Sequence, residues 1–177
     1  MSGAEEVVVP YTYVTPQFWT PNNEPHNAWL TVTAQYDQTV VNLPGAQFTI
    51  AAGQTIQMIN NFYGGTIFSA DKPVQAFCWT NTQYYARGFT LLPYIRSGTS
   101  YRMPKLTPTA GVQYASICAF ETGTIVTIGG LPYYPSPGYP VFMAISAGVP
   151  ITSNKPVVVY AHNNERDWVR SGTLEPL

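Results

Sequence analysis

The chain is short of charge, of cysteine and of long apolar runs, and each shortage excludes something. Its 177 residues include 8 Lys or Arg and 9 Asp or Glu, 10% of the total, against about 25% in a typical soluble domain. The surface must therefore be built from Thr, Asn, Gln, Ser, Tyr and backbone. The formal net charge is −1 and there is no basic block, so a phosphate backbone would meet nothing to neutralise it. Nucleic-acid binding by charge attraction is excluded on that ground. Apolar runs such as Val7–Val9 and Val157–Ala161 are a few residues long. A membrane-spanning helix needs about 20, so no membrane span is expected. The opening Met-Ser-Gly-Ala-Glu-Glu lacks the basic region and apolar core of a secretory signal. The expectation is either a cytosolic product that leaves without that signal or a mature start with an added Met. No Asn-x-Ser/Thr sequon occurs. Cys78 and Cys118 are too few for a disulfide framework and lack zinc spacing. They are two buried thiols or a single disulfide.

What is present is β-forming sequence. The chain is 45% hydrophobic, and its 16 prolines and 14 glycines break any long helix. Leu30, Val32 and Ala34 alternate with Thr31, Thr33 and Gln35, the period-2 pattern of a half-buried strand. Further strands are expected over 39–43, 48–51, 55–59, 74–79, 116–120, 124–128, 141–145 and 157–160, with turns at Tyr36–Gln38, Gly53 and Glu121–Gly123. No capped 3.6-residue apolar stripe competes. The expected fold class is all-β, a β-sandwich that is either jelly-roll-like or made of two pseudo-symmetric repeats sharing a core.

The second alternative has direct support, because blocks of the sequence recur. Leu30–Leu43 aligns with Ala115–Ile128 at an offset of 85, matching Val32 to Ile117, Ala34 to Ala119 and Thr39 to Thr124. Gly65–Phe77 aligns with Gly148–Tyr160 at an offset of 83, matching Asp71-Lys72-Pro73-Val74 to Asn154-Lys155-Pro156-Val157. The Lys-Pro motif reads as a turn leading into a strand. Asp71 or Asn154 closes the turn, the lysine points into water, and Pro73 or Pro156 sits at the strand entrance where no ladder donor is needed. The expected organisation is an irregular N-terminal arm over 1–28, with Val7–Tyr13 able to form a strand, then a sandwich over 29–177. The sandwich comprises a first repeat (29–80), a connector (81–112), a second repeat (113–163) and a C-terminal tail.

These blocks resemble the repeating β-unit of the N-terminal region of IgGFc-binding-type proteins and related bacterial and archaeal surface proteins. In that family a strand pair of the form Val-x-Ala-x-x-x-x-Thr-x-Val-x-Ile precedes an Ala-Gly turn and a later Ser-Asp-Lys-Pro-Val strand. Here the corresponding residues are Val32–Leu43, Ala52-Gly53 and Ser69–Val74, then Ile117–Ile128, Ala147-Gly148 and Ser153–Val157. In the second copy the Ala-Gly pair directly precedes the Lys-Pro block, so its middle strands are displaced or that turn is not equivalent. The resemblance implies tandem β-sandwich units of surface or adhesive proteins and brings no catalytic residues.

Chemistry is hard to find. Of the two histidines, His26 lies in the irregular lead. His162 with Glu165 and Asp167 fits no standard metal-loop geometry, so a solvated turn is expected. There is no Gly-x-Ser-x-Gly elbow, and Gly64-Gly65 and Gly129-Gly130 are turn pairs without a Walker context. Asp37 and Glu121 are carboxylates at analogous turns, where polar residues are expected anyway. No enzyme activity, metal or cofactor is expected.

Interaction is the better expectation. The connector holds Tyr84, Tyr85, Arg87, Tyr94, Arg96, Tyr101, Arg102 and Lys105, and no acid lies between residues 81 and 111. Arg and Tyr are enriched at interfaces, so this segment is a candidate surface for protein or glycan, with a bland alternative in which its stems pack on the sandwich. Leu131–Pro140 carries four prolines and, with Tyr133, Tyr134 and Tyr139, three tyrosines. It is expected as an extended, preordered loop, either a rigid lid or a contact arm. The expected function is a non-enzymatic structural subunit of a surface assembly, a virion or capsid component, with other protein subunits as partners in a homo- or hetero-oligomer. The alternative is a secreted or cell-surface adhesion module. Virion or extracellular surface is the corresponding location.

Overall fold

A computed structural model of the chain describes residues 28–43, 45–60, 69–81, 86–90, 97–106, 112–163 and 171–177. The expected arm over 1–28 lies outside them apart from its last residue. Every element among the described residues is a strand, and every pairing is antiparallel. The fold is all-β and sandwich-like. The first half contributes β1 (Ala28–Ala34), β2 (Thr39–Leu43), β3 (Ala46–Ile50), β4 (Thr55–Asn60), β5 (Ser69–Ala70), β6 (Val74–Asn81) and β7 (Ala86–Thr90). The second contributes β8 (Gly98–Arg102), β9 (Gln113–Ala119), β10 (Val126–Ile128), β11 (Leu131–Tyr133), β12 (Val141–Ala144), β13 (Pro150–Asn163) and β14 (Ser171–Thr173).

The first half makes two sheets, ordered β4-β1-β6-β7 and β3-β2-β5. The second half makes one sheet, β11-β10-β13-β9-β12, with β8 and β14 also on β13. The difference is small. The Asp71–Pro73 turn separates β5 from β6, whereas Asn154–Pro156 lies within the long β13, where the register with β8 shifts between Thr152 and Val157. Proline lacks the ladder donor, which is why the motif marks a break in both halves.

The ladders recur residue by residue. Leu30 pairs with Met58 as Ala115 pairs with Met143, and Leu30 pairs with Cys78 as Ala115 pairs with Ala161. Val41 pairs with Phe48 and Ala70 as Val126 pairs with Tyr133 and Ser153. Cys78 pairs with Phe89 as Ala161 pairs with Gly172. All five correspondences hold the offsets of 85 and 83 seen in the sequence. β8 has no counterpart among the described residues of the first half.

The expected connector therefore supplies strands. β7 extends the first half's sheet beside β6, and β8 pairs with β13. Leu131–Pro140 is likewise not a free loop. Its first three residues form β11, and Ser136 and Tyr139 close a turn through mutual backbone hydrogen bonds of 2.8 and 3.1 Å. The first half does the same with β3 and the Ala51–Gln54 turn. Prolines concealed the strand, because edge strands tolerate them. Gly138 at φ 81° is the counterpart of Gly53 at φ 74°, so Gly148 belongs to a different turn, between β12 and β13. The inequivalent Ala-Gly pair is thereby explained.

Two apolar clusters form the core. One contains Leu30, Val32, Ala34, Val41, Ile50, Met58, Ala70 and Ala76; the other contains Tyr101, Met103, Ala115, Ile117, Val126, Ile151, Val157 and Val159. Each fully buried Val, Leu or Ile contributes about 1.5–3 kcal/mol. The first cluster also includes Cys118, Phe120, Val158 and Tyr160 of the second half. Residues 115–119 of β9 and 157–161 of β13 are thus buried on both faces, with neighbouring residues serving different clusters. This explains the apolar run Val157–Ala161. Cys118 is buried in the first cluster, 3.7 Å from Ser116 Oγ.

Candidate interaction surfaces

The Lys-Pro motif is a staple. Thr39 Oγ1 donates to Tyr36 C=O at 2.6 Å, and Thr124 Oγ1 donates to Glu121 C=O at 2.7 Å, closing equivalent turns. Val40 N–H donates to Asp71 Oδ1 and Ile125 N–H donates to Asn154 Oδ1, both at 2.7 Å. The lysines do not stand in water as the sequence suggested. Lys72 Nζ donates to the Asp37 and Gln38 carbonyls; Lys155 Nζ donates to Thr122 C=O at 2.8 Å and lies 3.1 Å from Glu121 Oε2. The cause is the turn itself. Gln38 (φ 53°) and its counterpart Gly123 (φ 74°) are left-handed, and the tight reversal gathers carbonyls that need a donor. Asp37 is also engaged, its Oδ1 accepting Ala52 N–H at 2.9 Å. Asp37 and Glu121 thus sit in separate halves and hold turns together.

Tyr101 pins β8 to β13. It is 1% exposed; its hydroxyl accepts Gly98 N–H at 2.8 Å and donates to Val157 C=O. Burial pushes its phenol up to about 12, with smaller contributions from Glu175 and Cys118 opposed by the Gly98 hydrogen bond. The C-terminal segment runs alongside. Leu174 N–H donates to Val159 C=O and Leu177 N–H donates to Ser100 C=O, both at 2.9 Å.

Of the expected contact residues, Arg87, Arg102, Tyr133, Tyr134 and Tyr139 lie among the described residues. Tyr84, Tyr85, Tyr94 and Arg96 lie outside the described residues, as do His26, Glu165 and Asp167. Arg87 is in β7 opposite Thr80, and Arg102 is exposed on β8 opposite Pro150. Tyr133 packs half-buried against the second cluster. Tyr134 and Tyr139 project, 71% and 76% exposed, beside the equally open Leu131. No group of three or more His, Cys, Asp or Glu side chains converges among the described residues, and no helix there is long and apolar enough to cross a membrane.

A larger feature lies in the spacing of charges along the chain. Residues 38–70 contain no Asp, Glu, Lys, Arg or His, and neither do residues 122–154. These neutral runs are equivalent, and they build β2 to β5 and β10 to the start of β13. They expose Phe48, Ile125, Leu131, Tyr134 and Tyr139. The sequence signal is the absence of charge over two stretches of equal length, not a residue motif.

No protein-family model, no curated protein and no solved structure matches the chain. Its class is therefore given by its own geometry, an all-β sandwich-like protein with an internally recurring strand order.

Proposed function

We propose that the chain is a non-enzymatic structural subunit of a surface assembly, a virion component, whose partners are other protein subunits. The observation that carries this reading is the pair of neutral runs bearing exposed aromatic and aliphatic side chains. Charged residues are depleted and aromatic residues enriched at the cores of protein interfaces, because desolvating an unpaired charge costs several kcal/mol. A surface with Tyr139 projecting from a turn held by two backbone hydrogen bonds, and Tyr134 just before that turn, loses little entropy on docking.

The test is density-gradient sedimentation of particles from the protein's source, with the chain quantified by mass spectrometry. The expected result is a fixed stoichiometry with the other components of a high-mass particle. Recovery only in the slow-sedimenting soluble fraction would refute the reading.

A further inference from the structure

Among the described residues β3 is the outermost strand of its sheet, and its only partner there is β2. Ala46, Gln47, Phe48 and Thr49 are all exposed; only Ile50 is buried. Which backbone groups of β3 face outward follows from β2. Val40 N–H donates to Asp71 Oδ1 at 2.7 Å, and Val40 C=O accepts Asp71 N–H at 3.0 Å. Both polar groups of Val40 thus point away from β3, and Val40–Thr49 is a non-hydrogen-bonded pair of the ladder. Such pairs alternate, so Asn42–Gln47 is another. Gln47 and Thr49 therefore direct their N–H and C=O groups outward, and no hydrogen bond among the described residues reaches them.

The second half treats the same edge differently. β11 is the counterpart of β3, and the position equivalent to Gln47 is Pro132, opposite Thr127. Proline removes the outward N–H there, a standard guard against edge pairing. Among the described residues one edge is guarded and the other is open.

We propose that β3 pairs antiparallel with β3 of a second copy of this chain about a two-fold axis at Phe48, deepening the assembly-subunit reading on which it rests. In that register Gln47 lies opposite the partner's Thr49. The two exchange N–H···O=C bonds, and symmetry repeats the exchange. All four outward groups of each strand are satisfied, and the two Phe48 side chains meet at the closer, non-hydrogen-bonded position. The edge is complementary to itself. The neutral run 38–70 brings no like charges together and offers no counter-charge to an acidic or basic peptide. The sheet β5-β2-β3 continues across the axis into its copy. One short strand per copy falls below the roughly 1,000 Å² of a stable interface, so the pairing is weak alone and gains strength in a multivalent assembly.

The experiment is sedimentation velocity on the full chain from about 1 μM to about 1 mM. A monomer–dimer equilibrium is expected. Gln47→Pro places in β3 the residue that β11 already accommodates, and Thr49→Lys charges the edge without proline. Each should weaken dimerisation at least roughly tenfold while leaving far-UV circular dichroism and the melting temperature unchanged. Gln75→Lys, exposed on β6, adds the same charge elsewhere and should dimerise like the parent. A parent chain that stays monomeric at the highest concentration overturns the proposal. So does dimerisation undiminished in both edge variants, which would leave the assembly reading standing; that reading fails separately if the chain is absent from high-mass particles.

Discussion

Replacing Tyr101 with Phe isolates one hydroxyl whose contribution is set by two bonds and by pH. The ring stays in place, so no large cavity opens. What is lost is the partner of two backbone groups, Gly98 N–H and Val157 C=O, in a site only 1% exposed. An unsatisfied buried polar group costs about 1–3 kcal/mol, so the variant should be less stable by about 2–4 kcal/mol at pH 8. For a chain of this length each kcal/mol lowers the melting temperature by about 2–4 °C. The pH dependence sharpens the test. Below pH 10 the phenol is protonated in folded and unfolded chains alike, and the parent's advantage is complete. Between pH 10 and about 12 the unfolded chain sheds this proton while the folded chain retains it, so the parent loses stability as pH rises. At about 1.4 kcal/mol per pH unit, the gap between parent and Tyr101→Phe should narrow by about 1.4 kcal/mol from pH 8 to pH 11. Urea unfolding of both proteins at matched pH measures this. A gap that is constant or widens over that range would refute the assignment of a buried, doubly bonded phenol.

Three further outcomes follow from the described contacts. A methyl group added at Gly98 overlaps Cβ and Cγ of Pro176, so Gly98→Ala should lower stability by about 1–3 kcal/mol, and pairing it with Pro176→Gly, which removes both atoms, should recover part of the loss in a thermal melt. Asp71→Asn should change stability by less than about 0.5 kcal/mol, because Asn154 makes the same bond in the second half, whereas Asp71→Ala should cost about 1–2 kcal/mol in urea titration. Gln38 holds a left-handed φ of 53° where its counterpart is Gly123; Gln38→Gly should be neutral or stabilising by up to about 1 kcal/mol, and calorimetry distinguishes this from the loss expected if φ there were unstrained.

The fold class was legible because strand alternation is a local property. Leu30, Val32 and Ala34 announce a buried face whatever lies opposite. The repeat was legible for a related reason, since its matched residues are those that ladders and turns require: the Thr39 and Thr124 hydroxyls, and the Asp71 and Asn154 acceptors. Strands governed by distant partners were missed. β8 is short and contains Gly98, and it exists because β13 and Tyr101 hold it. β11 contains Pro132, which argues against a strand unless the strand is known to be an edge. Candidate contact residues fared less evenly for the same reason. Tyr134 and Tyr139 project, whereas Tyr133, the last residue of β11 and the neighbour of Tyr134, packs against the second cluster. Only the position of the sheet separates them.

An internally recurring chain is also its own control. Where the halves agree, as at Thr39 and Thr124, Gly53 and Gly138, or Lys72 and Lys155, a shared structural demand is enough to explain the residue. Where they differ at equivalent backbone positions, the fold has already been shown to tolerate both, and the difference needs a cause outside the fold. Gln47 against Pro132 is such a difference. Both residues occupy an exposed edge, at the same register against β2 or β10. Stability within the hairpin offers no reason for proline at one edge and glutamine at the other, since at this position the backbone groups point away from the hairpin partner in both halves. An interaction that must form once per chain, and not twice, does offer one. Two open edges would propagate pairing from molecule to molecule, whereas one closes it at a pair.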